Sequence, residues 1–386
     1  MAKRVFYGST HLAIRPTTVN TSGTSTKGIG GDGNFRLPQG VQSVGFNTSV
    51  AFEPIFQLGQ TELYGRTESQ SPEVEATISK AFDGKQPLYT TIMGGHSMVD
   101  GKQPTELTLN HCELDMGIYS ENVPFASGTP ESSIYCSGMY VTNVSMTFPL
   151  DGTATEEITL LGDTKKHLST SNIANAEAGN ATGSGTAPSP YQRWTMDVSN
   201  STLPTGVATY AIQSVSVSMG MGREAIQEIG SRGKYCRYPT YPFEVTTDFE
   251  VIVGGAMTTR GAEPSAATTS AVDIDSYDFV NDVGLACFSD AKYSIEPGVS
   301  PTDNQIDQGY IDTGFRDQTI KLKFCGKTSG DSLSISLGDK CRATSQNYSG
   351  GDTGGDNATM SYSFQSYNEF KLDHSGTFSK DPLVVS

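Results

Sequence analysis

A 33-residue stretch of this chain recurs further along in altered form. Any fold it adopts must therefore place one strand-and-turn unit in two positions. Sliding residues 42–74 onto 213–245 at a constant offset of 171 needs no gap. Ten pairs are identical: Gln42/Gln213, Ser43/Ser214, Val44/Val215, Glu53/Glu224, Ile55/Ile226, Gly59/Gly230, Tyr64/Tyr235, Arg66/Arg237, Glu73/Glu244 and Val74/Val245. A shorter pattern inside the repeat occurs three times: Glu53-x-Ile55-x-x-Leu58-Gly59, Glu156-x-Ile158-x-x-Leu161-Gly162 and Glu224-x-Ile226-x-x-Ile229-Gly230. The two apolar positions are expected to anchor a core face. The glycine is expected to end a strand in a turn that needs φ > 0. The glutamate reads as the wet side of a strand, with a hydrogen bond or ion pair between subunits as the alternative.

Composition points to β structure. Charged residues are 18% of the chain and there is one Trp, while 42 glycines stand among abundant Ser and Thr. Gly and Ser serve turns, and Thr, Val, Tyr and Phe serve strands. A length of 386 residues suits two or three domains with a sizeable core, or two. The formal net charge of −16 argues against general binding of phosphate backbones, which depends on Lys and Arg. Half of that charge falls in 273–317, where ten acidic residues face only Lys292 and Arg316. This is a solvated loop face or a surface that repels a polyanion.

Alternation of polar and apolar residues predicts strands over 41–52, 73–78, 107–119, 140–148 and 155–161 in the first unit. The second unit is predicted to hold strands over 210–219, 225–229 and 243–253, a hairpin of 319–324 with 332–337, and a strand over 360–372. The best helix candidate is short, 85–93, opened by Pro87. Leu337-Gly338-Asp339 is expected to close the second unit as Leu161-Gly162-Asp163 closes the first. The resulting organisation is an N-terminal arm (1–37), a first β domain (38–168), a small and polar linker (169–203), a second β domain with the acidic insert (204–374) and a tail (375–386).

Catalytic signatures are missing from the sequence. Five dispersed His form no H-E-x-x-H, and neither G-x-S-x-G nor a Walker loop occurs. Gly28-Ile-Gly30-Gly31-Asp-Gly33 has no convincing strand before it or helix after it, so it reads as a loop. Six scattered cysteines, none at C-x-x-C spacing, read as free thiols in a reducing compartment. The N-terminus lacks a signal-peptide apolar core, and no apolar run approaches the roughly 18 residues of a membrane span. The product is expected to be made and kept in a cytoplasm, without metal or cofactor, and not to be an enzyme.

The stretch 141–162, Val-Thr-Asn-Val-Ser-Met-Thr-Phe-Pro-Leu-Asp-Gly-Thr-Ala-Thr-Glu-Glu-Ile-Thr-Leu-Leu-Gly, resembles the late hairpin of tail tube proteins from long-tailed bacteriophages. Phe52-Glu-Pro-Ile-Phe-Gln-Leu-Gly-Gln-Thr-Glu-Leu-Tyr-Gly65, continuing to Ile78, resembles that family's opening strand, turn and next strand. The resemblance covers 38–168 and 204–260, is weak over 273–386 and is absent from 1–37. It implies a mainly β fold: two tandem antiparallel β-sandwich or barrel domains, each with a short flanking helix and long loops. It implies rings that stack into a hollow tube, with inner strands joined into a continuous barrel. Family members with one unit form hexamers, so a chain with two implies a trimeric, pseudo-sixfold ring. The implied partners are further copies of the chain, the tape measure, terminator and baseplate or tip proteins, and a sheath if the tail contracts. DNA would pass through the lumen without specific binding, and the place of the protein would be the virion tail, assembled in the host cytoplasm, with no membrane. On that reading Glu53, Ile55, Leu58, Gly59, Glu156, Ile158, Leu161, Gly162, Glu224, Ile226, Ile229 and Gly230 are structural-repeat and candidate interface residues. Alternatives are another virion β component, such as a terminator or decoration protein, or a receptor- or glycan-binding spike or glycosidase domain.

Overall fold

Period-two alternation decides most of the local structure. The computed structural model describes residues 9–19, 24–27, 35–68, 72–83, 87–94, 103–119, 130–169, 190–193, 196–197, 212–230, 234–252, 318–326, 332–349 and 358–375. The acidic insert 273–317, the glycine-rich 28–33 and the tail beyond Ser375 lie outside the described residues. In the first half the strands are β1 (Thr10–Val19), β2 (Ser25–Lys27), β3 (Val41–Ser49), β4 (Phe52–Phe56), β5 (Leu63–Glu68), β6 (Glu73–Ala81), β7 (His111–Ile118), β8 (Ser132–Phe148), β9 (Thr155–Gly162) and β10 (Thr164–Leu168). Among the described residues an α-helix, α1 (Leu88–Gly94), and a 3-10 turn at Pro104–Glu106 stand between β6 and β7. Then follow β11 (Met196–Asp197), β12 (Ile212–Gln227), β13 (Lys234–Ile252), β14 (Gln318–Gly326), β15 (Ser332–Ser349), β16 (Thr359–Tyr367) and β17 (Lys371–Ser375). The chain is mainly β, and its ladders are antiparallel.

Eight strands form one continuous run, β3-β6-β9-β8-β12-β13-β16-β15. Behind it lie β10-β8-β7-β1-β2 and β17-β15-β14-β11. The long strands β8 and β15 pass from one layer into the other. Val144, Met146, Val215, Val217, Met219, Val245, Phe249 and Phe364 point between the layers and are buried. The main core is a contiguous cluster running through both halves, and a small second cluster gathers Ala13, Phe35 and Leu37. Phe148 stacks on Phe324 with centroids 3.8 Å apart, and Tyr89 on α1 meets Phe370 edge-on at 5.8 Å.

The repeat is reproduced residue for residue in the strand pairing. In the first copy Val44 faces Ile78, Ser49 faces Glu73 and Pro54 faces Arg66. In the second, Val215 faces Phe249, Gly220 faces Glu244 and Ala225 faces Arg237, each residue 171 further on. Even the irregularities coincide: the register shifts at Val41/Ser43 and Ile55/Phe56 recur at Ile212/Ser214 and Ile226/Gln227. The tip glycines also match, Gly59 with φ 89° and Gly230 with φ 91°. One difference separates the copies. The first is broken into β3 plus β4 and β5 plus β6, so its tip is a separate two-stranded sheet, whereas β12 and β13 run straight through.

Duplication extends well past the sequence repeat. Ala76 faces Leu160 across β6 and β9, and the partner of Thr247 across β13 and β16 is Phe364. In the next ladder a bulge at Thr142 between Val141/Leu160 and Asn143/Thr159 returns at Thr344 between Ala343/Phe364 and Ser345/Ser363. The bulged threonine makes the same bond in both, donating to Thr159 O at 3.1 Å and to Ser363 O at 3.2 Å. β10 and β17 flank the first part of β8 and β15 alike, as β7 and β14 do on the other side.

Several expectations are corrected. Within the expected arm, Thr10–Val19 is a full strand against β7, with Leu12, Ala13 and Ile14 buried. Its Pro16 and flanking threonines disguise the alternation. Inside the expected linker, Tyr191 is buried and Met196–Asp197 pairs with β14. Leu337-Gly338-Asp339 does not close a unit, because it lies within β15, the counterpart of β8, where Gly338 has φ 92°. Residues 360–372 divide into β16 and β17 at Asn368, which takes φ 60° and accepts from Phe243 N at 2.8 Å. Asn is among the few residues that tolerate this conformation.

Candidate functional site

The eight-stranded run has two edges and one polar face. At one end β3 pairs only with β6, and at the other residues 342–349 of β15 pair only with β16, among the described residues. Such edges present unpaired backbone N–H and C=O groups. By register, β3 is the counterpart of β12, and this part of β15 is the counterpart of β8. Inside the chain those two counterparts are joined: β8 and β12 pair from Phe148/Val215 to Asn143/Gly220. The molecule therefore contains one finished example of the junction whose two halves it leaves open at its ends.

Side chains secure that junction. Arg237 is buried and donates to Asp163 Oδ1 at 2.6 Å and Glu73 Oε1 at 3.3 Å, while Lys234 reaches Glu73 Oε1 at 2.6 Å. The bond from Lys234 is the main influence holding the Glu73 carboxyl below its ordinary range. Arg223 donates to Val141 O at 3.1 Å and lies 5.3 Å over the Tyr140 ring. Burial pushes its guanidinium down to about 10. These clamps were not singled out from sequence, although the identities Arg66/Arg237 and Glu73/Glu244 carried the signal.

The polar face is built from the outward positions of all eight strands. Ser43, Ser79, Glu157, Ser145, Ser218, Thr246 and Gln365 form one row across it. Six carboxylates lie on the face: Glu73, Glu75, Glu157, Glu244, Asp248 and Glu250. Arg342, at one border, is the single basic residue among these described positions. Glu73 is held by Lys234 and Arg237, whereas neighbouring hydroxyls and amides hold Asp248 and Glu244. Ser363 donates to Asp248 at 2.6 Å, Ser216 to Asp248 at 3.2 Å, and Gln365 to Glu244 at 2.7 Å.

The three motif copies occupy two environments. Glu53 to Gly59 and Glu224 to Gly230 form the tips of the duplicated hairpins. Their apolar residues do not anchor a core: Ile55, Leu58, Ile226 and Ile229 are exposed, Leu58 and Ile229 completely. The ends of the tips project beyond the layers, and these apolar side chains stay open among the described residues. Both tip glycines do take positive φ. Glu156 to Gly162 is instead an interior strand, β9. Ile158 is buried there, Gly162 packs against Met139, and Leu161 is half-buried on the polar face. Glu156 is also buried, accepting from Leu88 N at 2.7 Å and Tyr89 N at 2.8 Å in the first turn of α1. Burial raises its carboxyl above the ordinary range, with nearby Lys80 opposing.

Among the described residues no group of three or more His, Cys, Asp or Glu is placed to hold a metal ion. No described helix is long and apolar enough to cross a membrane. Comparison with protein-family models and with curated protein sequences finds no match.

Proposed function

We propose that this chain is a structural subunit of a tube, of the tail tube kind found in long-tailed bacteriophages, and that it acts by assembling rather than by catalysis. The observation that carries this reading is the internal β8–β12 junction, together with two edges, unpaired among the described residues, that are the counterparts of its members. Repeating the junction between copies joins the β15 edge of one chain to the β3 edge of the next. This contact is heterologous, so it generates a closed ring or an open helix. Closure removes the edges, which is the stable outcome for long exposed strands. With two units per chain, three copies supply six quasi-equivalent units around one axis. The exposed tips, carrying Ile55, Leu58, Ile226 and Ile229, are then the contacts by which rings stack into a tube. The hydroxyl-rich, acidic face is suited to a lumen that lets DNA slide, because among its described positions Arg342 alone stands against six carboxylates and phosphates meet no row of cations.

Negative-stain microscopy of the purified full chain over a range of concentrations tests the reading. Rings or stacked tubes are expected. Dispersed monomers at every concentration, particularly ones that bind a glycan, would overturn it.

A further inference from the structure

Within the chain, Arg237, Lys234 and Arg223 seat the second hairpin tip on the first half, with Arg237 and Lys234 each reaching both Glu73 and Asp163 and coming closest, at 2.6 Å, to Asp163 and to Glu73 respectively. Arg237 binds Glu73 at 3.3 Å, Lys234 binds Asp163 at 3.4 Å, and Arg223 lies over Tyr140. The matched registers assign a counterpart to each of these residues. Arg237 and Glu73 correspond to Arg66 and Glu244. Lys234 and Asp163 correspond to Leu63 and Tyr367, the latter because Tyr367 faces Glu244 at the border of β16. Arg223 and Tyr140 correspond to Phe52 and Arg342.

We propose that these three counterpart pairs meet between two copies of this chain, with the β4–β5 tip of one copy seated on the second half of the next. This proposal rests on the reading that β3 and β15 join between copies, and it names the side chains that lock that join. Each pair is chemically matched although four of the six residues have changed. The Arg–Glu pair is kept. The Lys–Asp pair becomes Leu–Tyr, an ion pair exchanged for an apolar one. The Arg–Tyr stack becomes Phe–Arg, a cation over an aromatic ring with the partners reversed. Arg237 and Lys234 each reach both carboxylates, so the counterparts admit a second assignment, Leu63 with Glu244 and Arg66 with Tyr367; the assignment taken here is the one that sets the cation against the carboxylate and the two apolar side chains against each other.

Exposure supports the same assignment. Arg237 is 1% exposed, whereas Arg66, at the equivalent register, is exposed and has no carboxylate partner among the described residues. Phe52, Leu63 and Tyr367 are exposed at 56%, 39% and 50%. The β4–β5 tip is a detached two-stranded sheet because the floor beneath its twin, the border of β6 and β9, has no counterpart within the chain on this side. A two-stranded hairpin on its own is marginal in water, so its floor must come from elsewhere. The next copy presents that floor as the border of β13 and β16.

Arg66→Glu and Glu244→Arg, singly and together, test the pair by sedimentation velocity of the full chain, with far-UV circular dichroism to verify the fold. Each single variant should raise the concentration needed for ring formation about tenfold or more, and the double variant should recover most of the loss. A cysteine pair, Asn47→Cys with Asn347→Cys, reports the join separately. Transfer of the β8–β12 register puts these two residues opposite each other between copies, so oxidation should give cross-linked oligomers. If oligomers cross-link but the double variant is no better than the single ones, the side-chain assignment is overturned while the tube reading stands. If the unmodified chain does not assemble and the cysteine pair does not cross-link, both fall.

Discussion

The same residue type at the same register does opposite things in Arg66 and Arg237, which shows how far context decides a charge's effect. Arg237 is enclosed, with two carboxylates in reach; Arg66 stands in water. Arg237→Ala would leave Glu73 and Asp163 with Lys234 as their shared cation and remove the one closer to Asp163. The expected loss is about 2–3 kcal/mol, below that of a fully buried pair because both acids keep some contact with water. Arg66→Ala in the unassembled chain should cost less than about 0.5 kcal/mol. Thermal melts of the two variants check this, and equal losses would contradict it. The pH dependence has a defined sign. The Glu73 carboxyl lies below its ordinary value of 4.5 in the folded chain. Its contribution is therefore complete above pH 4.5 and disappears as pH falls through the lowered folded value. Because Lys234 supplies the largest part of that lowering, the gap between wild type and Lys234→Ala should narrow in acid, and the gap to Arg237→Ala should narrow less.

At the scale of elements, the hairpins repeat their register, bulges and tip turns. Gly59 and Gly230 have φ near 90°, and a Cβ added at either would meet no heavy atom within 4 Å. Only the backbone conformation opposes a side chain there. Gly230→Ala and Gly59→Ala should each destabilise the tip by about 1 kcal/mol, measured by hydrogen exchange of the flanking amides. Unchanged exchange would show that the turn relaxes freely. The hairpins were legible in the sequence because ten identities survive between the copies. The rest of the duplication was not. β8 and β15 share their pairing and their threonine bulge, yet aligned by register they have only Ser132/Ser334 and Thr142/Thr344 in common. Alternation constrains which face a residue occupies, not its identity, so register persists after resemblance has gone. The motif misled for a related reason. An apolar residue at a projecting tip and one in an interior strand look alike in sequence, and only topology separates Ile55 from Ile158.

For the whole molecule, the shared core and the shared sheet belong to one argument. Both halves feed a single apolar cluster, so the β8–β12 junction is fixed, and with it the angle at which one unit follows the next. A chain that repeats this step between copies turns its acidic face to one side throughout. If that side lines a lumen, the carboxylates govern what passes. Assembled wild-type rings should hold duplex DNA more weakly than about 10⁻⁴ M at physiological salt, because no row of cations faces the phosphates. Glu157→Lys with Asp248→Lys places one new cation on the face in each half, at positions held only by neighbouring polar groups or by solvent. Rings of that variant should gain DNA binding that falls steeply with added salt, read by fluorescence anisotropy across a salt series. Wild-type rings that already bind DNA with such a slope would place the acidic face elsewhere than the lumen, since the face as built repels the polymer it would have to conduct.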